Sequence, residues 1–260
     1  MSTHSHEGYT HAACTDQMTY PPLDTLKPAA DNVWIVDGPI VHFGMPWPKM
    51  PFATRMTIIH LRNGLFVHSP TPLTEPLRAE IAAIGAPRWL IAPNRIHYSW
   101  IAEWAAAYPD AVVYLAPRIT EQAGPGFGLS GRDLTARDGY PWDDEIATLP
   151  IAGSYMTEVE FFHLPSRTLV LTDLIENFEA DKLPSTLHRW LTRLAGAQAP
   201  HGSMPRDMRL TFARQRQALK ASVETMIGWQ PERVIIAHGR WFETGGAAAL
   251  RRSFSWLLKP

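Results

Sequence analysis

Arg233-Val-Ile-Ile-Ala-His238-Gly239 reads as a short apolar strand with a histidine at its tip and a glycine that frees the backbone to turn. Two other stretches share this design. Leu169-Val-Leu-Thr-Asp173 ends in a carboxylate, and Trp89-Leu-Ile-Ala-Pro-Asn94-Arg-Ile-His97 runs from a strand into a loop that ends in an imidazole. Strand tips gathered on one edge of a sheet are where α/β structures place their ligands. The fold is therefore expected to bring these three tips together.

Working outward, Val33-Trp-Ile-Val-Asp37 is a first strand, closed by Gly38-Pro39. Met56–Leu61 and Leu65–His68 flank Arg62-Asn63-Gly64, which reads as a hairpin whose two turn residues, Asn and Gly, take positive φ. Thr74, Glu75-Pro76 and Gly85 frame a helix between them. The strand Trp89–Ala92, a helix from about Tyr98 to Ala107 and the strand Ala111–Leu115 complete a hairpin followed by βαβαβ. Glu158–His163 and Arg167–Thr172 form a second antiparallel pair across Leu164-Pro165-Ser166. A short helix surrounds Leu187–Leu191. A long amphipathic helix is predicted over about Asp207–Trp229, with Leu210, Ala213, Leu219 and Val223 inward, and a final one over Ala247–Leu258. Gly124–Gly139 yields no element. Met45–Pro51 reads as an ordered proline-rich loop over the site mouth. Residues 1–31, with His4, His6 and His11, read as a poorly ordered arm, and 32–260 as a single domain. The class is α/β, a β-sandwich between helices.

Composition narrows the function. The 260 residues are 45% hydrophobic and 19% charged, with a net charge of −1. Such a balance gives no electrostatic footprint for nucleic acid or for an anionic membrane. One cysteine, Cys14, leaves no internal disulfide to form. The N-terminus lacks a basic and then apolar leader, and no apolar run approaches the roughly 18–20 residues of a membrane helix. A cytoplasmic protein acting on a small molecule is expected.

His97, Asp173 and His238 are the candidate metal ligands, because two imidazoles and a carboxylate are a common set for zinc or ferrous iron and leave open positions. His163, also at a strand end, is the fourth candidate, and His68 a weaker fifth. The plainer alternative is that each histidine satisfies buried backbone groups. Iron in such a set also serves redox chemistry.

Taken together, the segments resemble the metallo-β-lactamase superfamily, and within it an uncharacterised domain-of-unknown-function branch. The residues carrying the resemblance are His68-Ser69-Pro70, Pro93-Asn94-Arg95-Ile96-His97, Phe162-His163 through Leu169, Thr172-Asp173-Leu174 and Ala237-His238-Gly239, within a match from about Val33 to Leu258. The resemblance implies a four-layer αββα sandwich with one or two metals at the sheet edge. The signature His-x-His-x-Asp-His is broken here. Aligned on His97, its other ligand positions fall on Ala92, Asn94 and Ile96. The implied centre is at most mononuclear, built from His97, Asp173, His238 and His163, with zinc first and iron or manganese as alternatives.

The implied activity is hydrolysis of a small ester, lactone, thioester or amide. Asp173 would orient the ion and accept a proton, and Asn94 would donate to a developing oxyanion. Arg95 and Arg167 are candidates for an anionic substrate group, although structural pairing is the simpler role for both. Tyr98-Ser99-Trp100 and Trp241-Phe242 are candidate aromatic walls. The alternative function is a repurposed member whose remnant site is structural, empty or ligand-sensing.

Overall fold

The computed structural model describes residues 16–43 and 49–259. His4, His6, His11, Cys14 and residues 44–48 of the proline-rich loop lie outside the described residues. Met50 and Pro51 belong to a strand.

Two sheets face each other. In the first, β1 (Lys27–Ala30), β2 (Val33–Phe43), β3 (Met50–Leu61), β4 (Gly64–His68), β5 (Pro87–Ala92), β6 (Val112–Leu115) and β7 (Arg132–Asp133) lie side by side in chain order. Pairing is antiparallel from β1 to β4 and parallel from β4 to β7. The change follows from the connections: a tight turn joins β3 to β4, whereas α1 (Glu75–Ile84) and α2 (Ile101–Ala107) carry the chain back across the sheet. The short α3 (Ile119–Ala123) follows β6. The second sheet has the order β11-β10-β9-β8, from β8 (Ile146–Ala152), β9 (Thr157–His163), β10 (Thr168–Val170) and β11 (Arg233–Ile235), with β11 parallel to β10. The helices α4 (Thr186–Ala195), α5 (Arg206–Thr211), α6 (Arg216–Gly228), α7 (Gly246–Ser253) and α8 (Ser255–Leu258) follow.

Apolar alternation decides the layers. Val159 and Phe161 of β9 turn inward, where Phe161 meets the Phe66 ring of β4 at 5.0 Å, and Phe66 meets Trp142 at 5.0 Å. Leu77 and Ile81 of α1 pack on the outer side of the first sheet. Phe162 and Leu169 face the other way, onto Leu219, Val223 and Leu250 of α6 and α7. The result is the four-layer αββα sandwich.

Local chemistry accounts for several element ends. The Thr74 hydroxyl accepts from the Leu77 amide at the start of α1, and the Gly85 amide closes its last turn on Ile81. At the β3–β4 turn only Gly64 takes positive φ (128°); Asn63, expected to share it, does not. The expected helix over 207–229 is broken. The Ser154 amide and hydroxyl both bind the Thr211 carbonyl, at 3.0 and 2.7 Å, and so compete with its helical partner. The break rotates Leu210 into solvent (76% exposed), leaves Ala213 exposed, and buries Phe212 instead; Leu219 and Val223 are inward as expected. The C-terminal helix likewise divides at Phe254, where Ser203 takes the Ser253 carbonyl.

Residues 16–31 are not a free arm. β1 extends the first sheet, the Leu26 amide binds Glu80 at 2.7 Å, the Tyr20 hydroxyl binds Glu179 at 2.7 Å, and Met18 packs with Phe178 and Leu183. These anchors are scattered along the segment without any period, so pattern reading misses them.

One buried ion pair ties the sheets together. Arg55 of β3 meets Asp37 of β2 through Nε and Nη2, at 2.8 and 2.7 Å, and its Nη1 donates to the carbonyls of Ile236 and Gly239, at 2.8 and 2.9 Å. Truncating Arg55 leaves Asp37 to Lys27 alone, whose Nζ stands 2.7 Å from its Oδ2, and strips two buried carbonyls of their donor, each unmet group costing about 1–3 kcal/mol. Arg55→Ala is expected to lower the unfolding free energy by about 3–5 kcal/mol in a denaturant titration. A loss below about 1 kcal/mol would show that the pair does not hold the sheets.

Candidate metal centre

Three tips meet. The donor atoms of His97, Asp173 and His238 lie within 4.8 Å of one another. His97 Nε2 stands 3.3 Å from both Asp173 oxygens, and His238 Nε2 stands 3.1 Å from Asp173 Oδ1.

Each of the three side chains is oriented by its own element. His238 follows β11, and its Nδ1 donates to the Ala53 carbonyl at 2.9 Å. Gly239 then turns at φ 87°, so close to its neighbour that a Cβ there would lie 2.2 Å from the Asn177 carbonyl oxygen; only glycine fits. His97 ends a loop pinned by Asn94, whose Oδ1 accepts from the amides of Ile96 and His97 at 2.9 and 3.1 Å. The Ser69 hydroxyl bonds His97 Nδ1 at 2.8 Å from a residue held at φ 52°, an uncommon conformation for a side-chain-bearing residue. Asp173 is fixed from behind by Glu158, which is fully buried and accepts from the amides of Thr172, Asp173 and Leu174 at 2.8, 2.9 and 3.2 Å.

The donor set fits a divalent ion. Because a carbonyl only accepts, Nδ1 of His238 carries its proton, and in the neutral ring Nε2 presents a lone pair to a carboxylate oxygen. A cation shared between these facing acceptors satisfies both. The electrostatics agree in direction. Burial opposes ionisation of Asp173, but the adjacent His97 and His238 outweigh it and hold the carboxyl below the usual carboxylate range. Burial likewise opposes a charge on His97, yet Asp173 pulls it upward. Glu158 is pushed up by burial and by Asp173, despite its three backbone donors.

His163 is not part of the cluster. β9 runs antiparallel to β10, so His163 pairs with Thr168 at the start of β10, whereas Asp173 lies beyond the end of β10. Its Nδ1 bonds Ser166 at 2.7 Å instead. The turn at the site end of β9 is 153–156, and it contributes Tyr155 to the site rather than an imidazole. Asn94 also departs from its expected role. It is fully buried, and its Nδ2 donates to Asp173 Oδ2 at 2.6 Å and to Thr172 at 2.9 Å, so no N–H is left for an oxyanion. Asn94 positions Asp173. Arg95 binds Gln122 and the Tyr155 carbonyl, and Arg167 binds the Gln230 carbonyl, so both are structural.

A cavity of about 850 Å³ adjoins His97, Asp173 and His238. Tyr98, Ser99 and Trp100 line it, as expected; Trp241 and Phe242 are not among its lining residues, and Phe242 pairs with Val234 instead. Glu176 on the cavity wall was not singled out in the sequence. Its carboxyl is pushed well above the usual range by burial and by Asp173, Asp207 and Glu158. The missed Glu158 did leave a signal: in Thr157-Glu-Val-Glu-Phe-Phe-His163 the glutamates alternate with apolar residues, which puts both acids on one face of a strand inside a sandwich.

Residues 31–190 match the family described as Domain of unknown function (DUF4336). The chain belongs to the DUF4336 family. No curated protein matches this DUF4336 chain. Its fold is that of the metallo-β-lactamases. A metallo-β-lactamase from Pontibacter korlensis aligns with a TM-score of 0.54 at 11% identity, over 91% of this chain and 99% of that one. The metallo-β-lactamase FIM-1 from Pseudomonas aeruginosa, in its mono-zinc form, gives 0.56 at 14% identity, over 90% and 94%. The enzyme from Hirschia baltica gives 0.56 at 14%, over 91% and 98%. Among the described residues no helix is long and apolar enough to cross a membrane.

His68 of this DUF4336 protein ends β4 with Nε2 buried and, among the described residues, without a hydrogen-bond partner, its ring set edge-on to Phe161 at 5.5 Å. Burial, reinforced by His97, lowers its pKa to about 3 from the ordinary 6.5. Between those values the unfolded chain binds the extra proton and the folded chain does not, so stability falls as pH falls. Relative to His68→Leu, wild type should lose about 1.4 kcal/mol per pH unit across that window in chemical denaturation. A pH-independent difference would show that His68 is not held neutral.

Proposed function

We propose that this protein is a mononuclear metal-dependent hydrolase of a small ester, lactone, thioester or amide. The observation that carries the reading is one carboxylate between two imidazoles at the wall of a large cavity. His97, Asp173 and His238 hold one divalent ion, zinc first and iron or manganese as alternatives. Asn94 supports a single ion, because its amide already engages Asp173 Oδ2, where a second metal would need an acceptor. That the fold relative FIM-1 exists in a mono-zinc form is consistent with one ion sufficing to order such an edge.

A bound ion supplies Lewis acidity and lowers the pKa of its water toward about 7. The chain supplies the rest. Ser69 and the Ala53 carbonyl fix the two rings, and Glu158 and Asn94 fix the carboxylate. Glu176 lines the cavity wall, where burial favours the protonated carboxyl, and so is placed to give a proton to a leaving group.

Metal content of tag-free protein checks the ligand set. About one equivalent of zinc is expected in wild type and in His163→Ala, with less than a tenth of that in Asp173→Ala and His238→Ala. Two equivalents, or loss in His163→Ala, would refute the single-ion site; no zinc in wild type would leave a repurposed scaffold. Glu176→Gln should keep its zinc and lose about a hundredfold in kcat on any ester the wild type cleaves. Unchanged kcat would remove Glu176 from the proton transfer.

A further inference from the structure

The cavity beside the three ligands also carries information about what it holds, and an inference drawn from it rests on the hydrolase reading above. The apolar part of its wall comes from well-separated stretches of the chain, among them the β2–β3 ends, the loop after β5, α4 with α5, and Phe178. Phe52, Ile96, Trp100, Phe178, Leu191 and Leu194 face it from these regions. Beyond the three ligands, the imidazole, carboxyl and guanidinium side chains lining it among the described residues are His42, Glu176, Arg206 and Asp207, joined by the phenols of Tyr98 and Tyr155. Arg206 is the one guanidinium, and Asp207 follows it directly. A substrate carrying a carboxylate or phosphate finds no cluster of cations here, and it finds carboxyl groups at Asp173, Glu176 and Asp207.

The apolar lining also continues outward. Leu194 lines the cavity and is still 45% exposed, and Leu187 and Trp190 extend the same face of α4 at 42% and 57%. A site meant for a compact polar molecule has no use for a volume of 850 Å³ that leads onto such a rim. We infer that the cavity takes an uncharged, elongated apolar chain, so that the bond cleaved is the ester, lactone or thioester of a medium-to-long acyl group. In the ester case the oxygen of water bonds to the acyl carbon, the acyl–oxygen bond breaks, one proton goes to the departing alkoxide and the other is released. The products are a carboxylate and an alcohol.

The test separates chain binding from chemistry. Straight-chain primary alcohols from butanol to decanol are titrated into zinc-free and zinc-loaded protein, with tryptophan fluorescence as readout, and acyl p-nitrophenyl esters of matching length are assayed on the zinc-loaded form. Affinity should rise about threefold to fourfold per methylene in both forms. In the zinc-free form decanoate should bind no tighter than decanol. Leu191→Arg should weaken decanol at least tenfold with zinc content and melting temperature unchanged. Leu194→Arg, at the exposed rim, gives a second variant should the first fail to fold.

Affinity independent of chain length, decanoate tighter than decanol, or folded variants that bind like wild type would overturn the inference. Length-dependent alcohol binding with bound zinc but no cleavage of any ester would support the ligand class and overturn the hydrolase reading.

Discussion

A carboxylate packed between two imidazoles inside a protein is held by everything around it, and Asp173 is the case here. Its own amide and those of Thr172 and Leu174 converge on Glu158, while Asn94 takes Oδ2. Backbone donors at Glu158 stiffen the chain just where β10 ends, so the carboxylate has little freedom left to lose on binding an ion. Such preorganisation is what a metal site needs, since donors that must first be gathered bind more weakly.

The sandwich supplies the distances. His97 comes from the first sheet by way of a loop that Asn94 closes, and Asp173 and His238 come from neighbouring parallel strands of the second. Asn94 therefore bonds both sides of the site: its Oδ1 shapes the His97 loop and its Nδ2 holds Asp173. Arg55 has a comparable role a layer deeper, since its guanidinium joins Asp37 to the two carbonyls flanking Ala237-His238. Neither side chain belongs to the His97–Asp173–His238 cluster, yet moving either one shifts a member of it.

Much of this was legible in the sequence where the information is local. The Thr74 cap, the Gly85 stop and the apolar runs before Asp173 and His238 specify their elements within a few residues. The meeting of His97, Asp173 and His238 was legible because residue type and strand-tip position agree. His163 shows the limit. Placing it at a strand end took no account of strand direction, although the hairpin at Leu164-Pro165-Ser166 sends the next strand back the other way and carries Asp173 to the opposite edge. Long-range partners left weaker marks. Arg55 inside an apolar strand and Glu158 beside Val159 could be flagged as buried charges, but Asp37 and the three amides just past the end of β10 are not neighbours in sequence. The break at Thr211 depends on Ser154, 57 residues away, and no helical period encodes it.

X-ray absorption at the zinc edge of zinc-loaded protein tests the central claim most directly. A single first shell is predicted, with two imidazole nitrogens at about 2.0–2.1 Å, the rest oxygen, and no metal–metal distance. Three or more imidazoles, a sulfur ligand or a second metal within about 4 Å would contradict it.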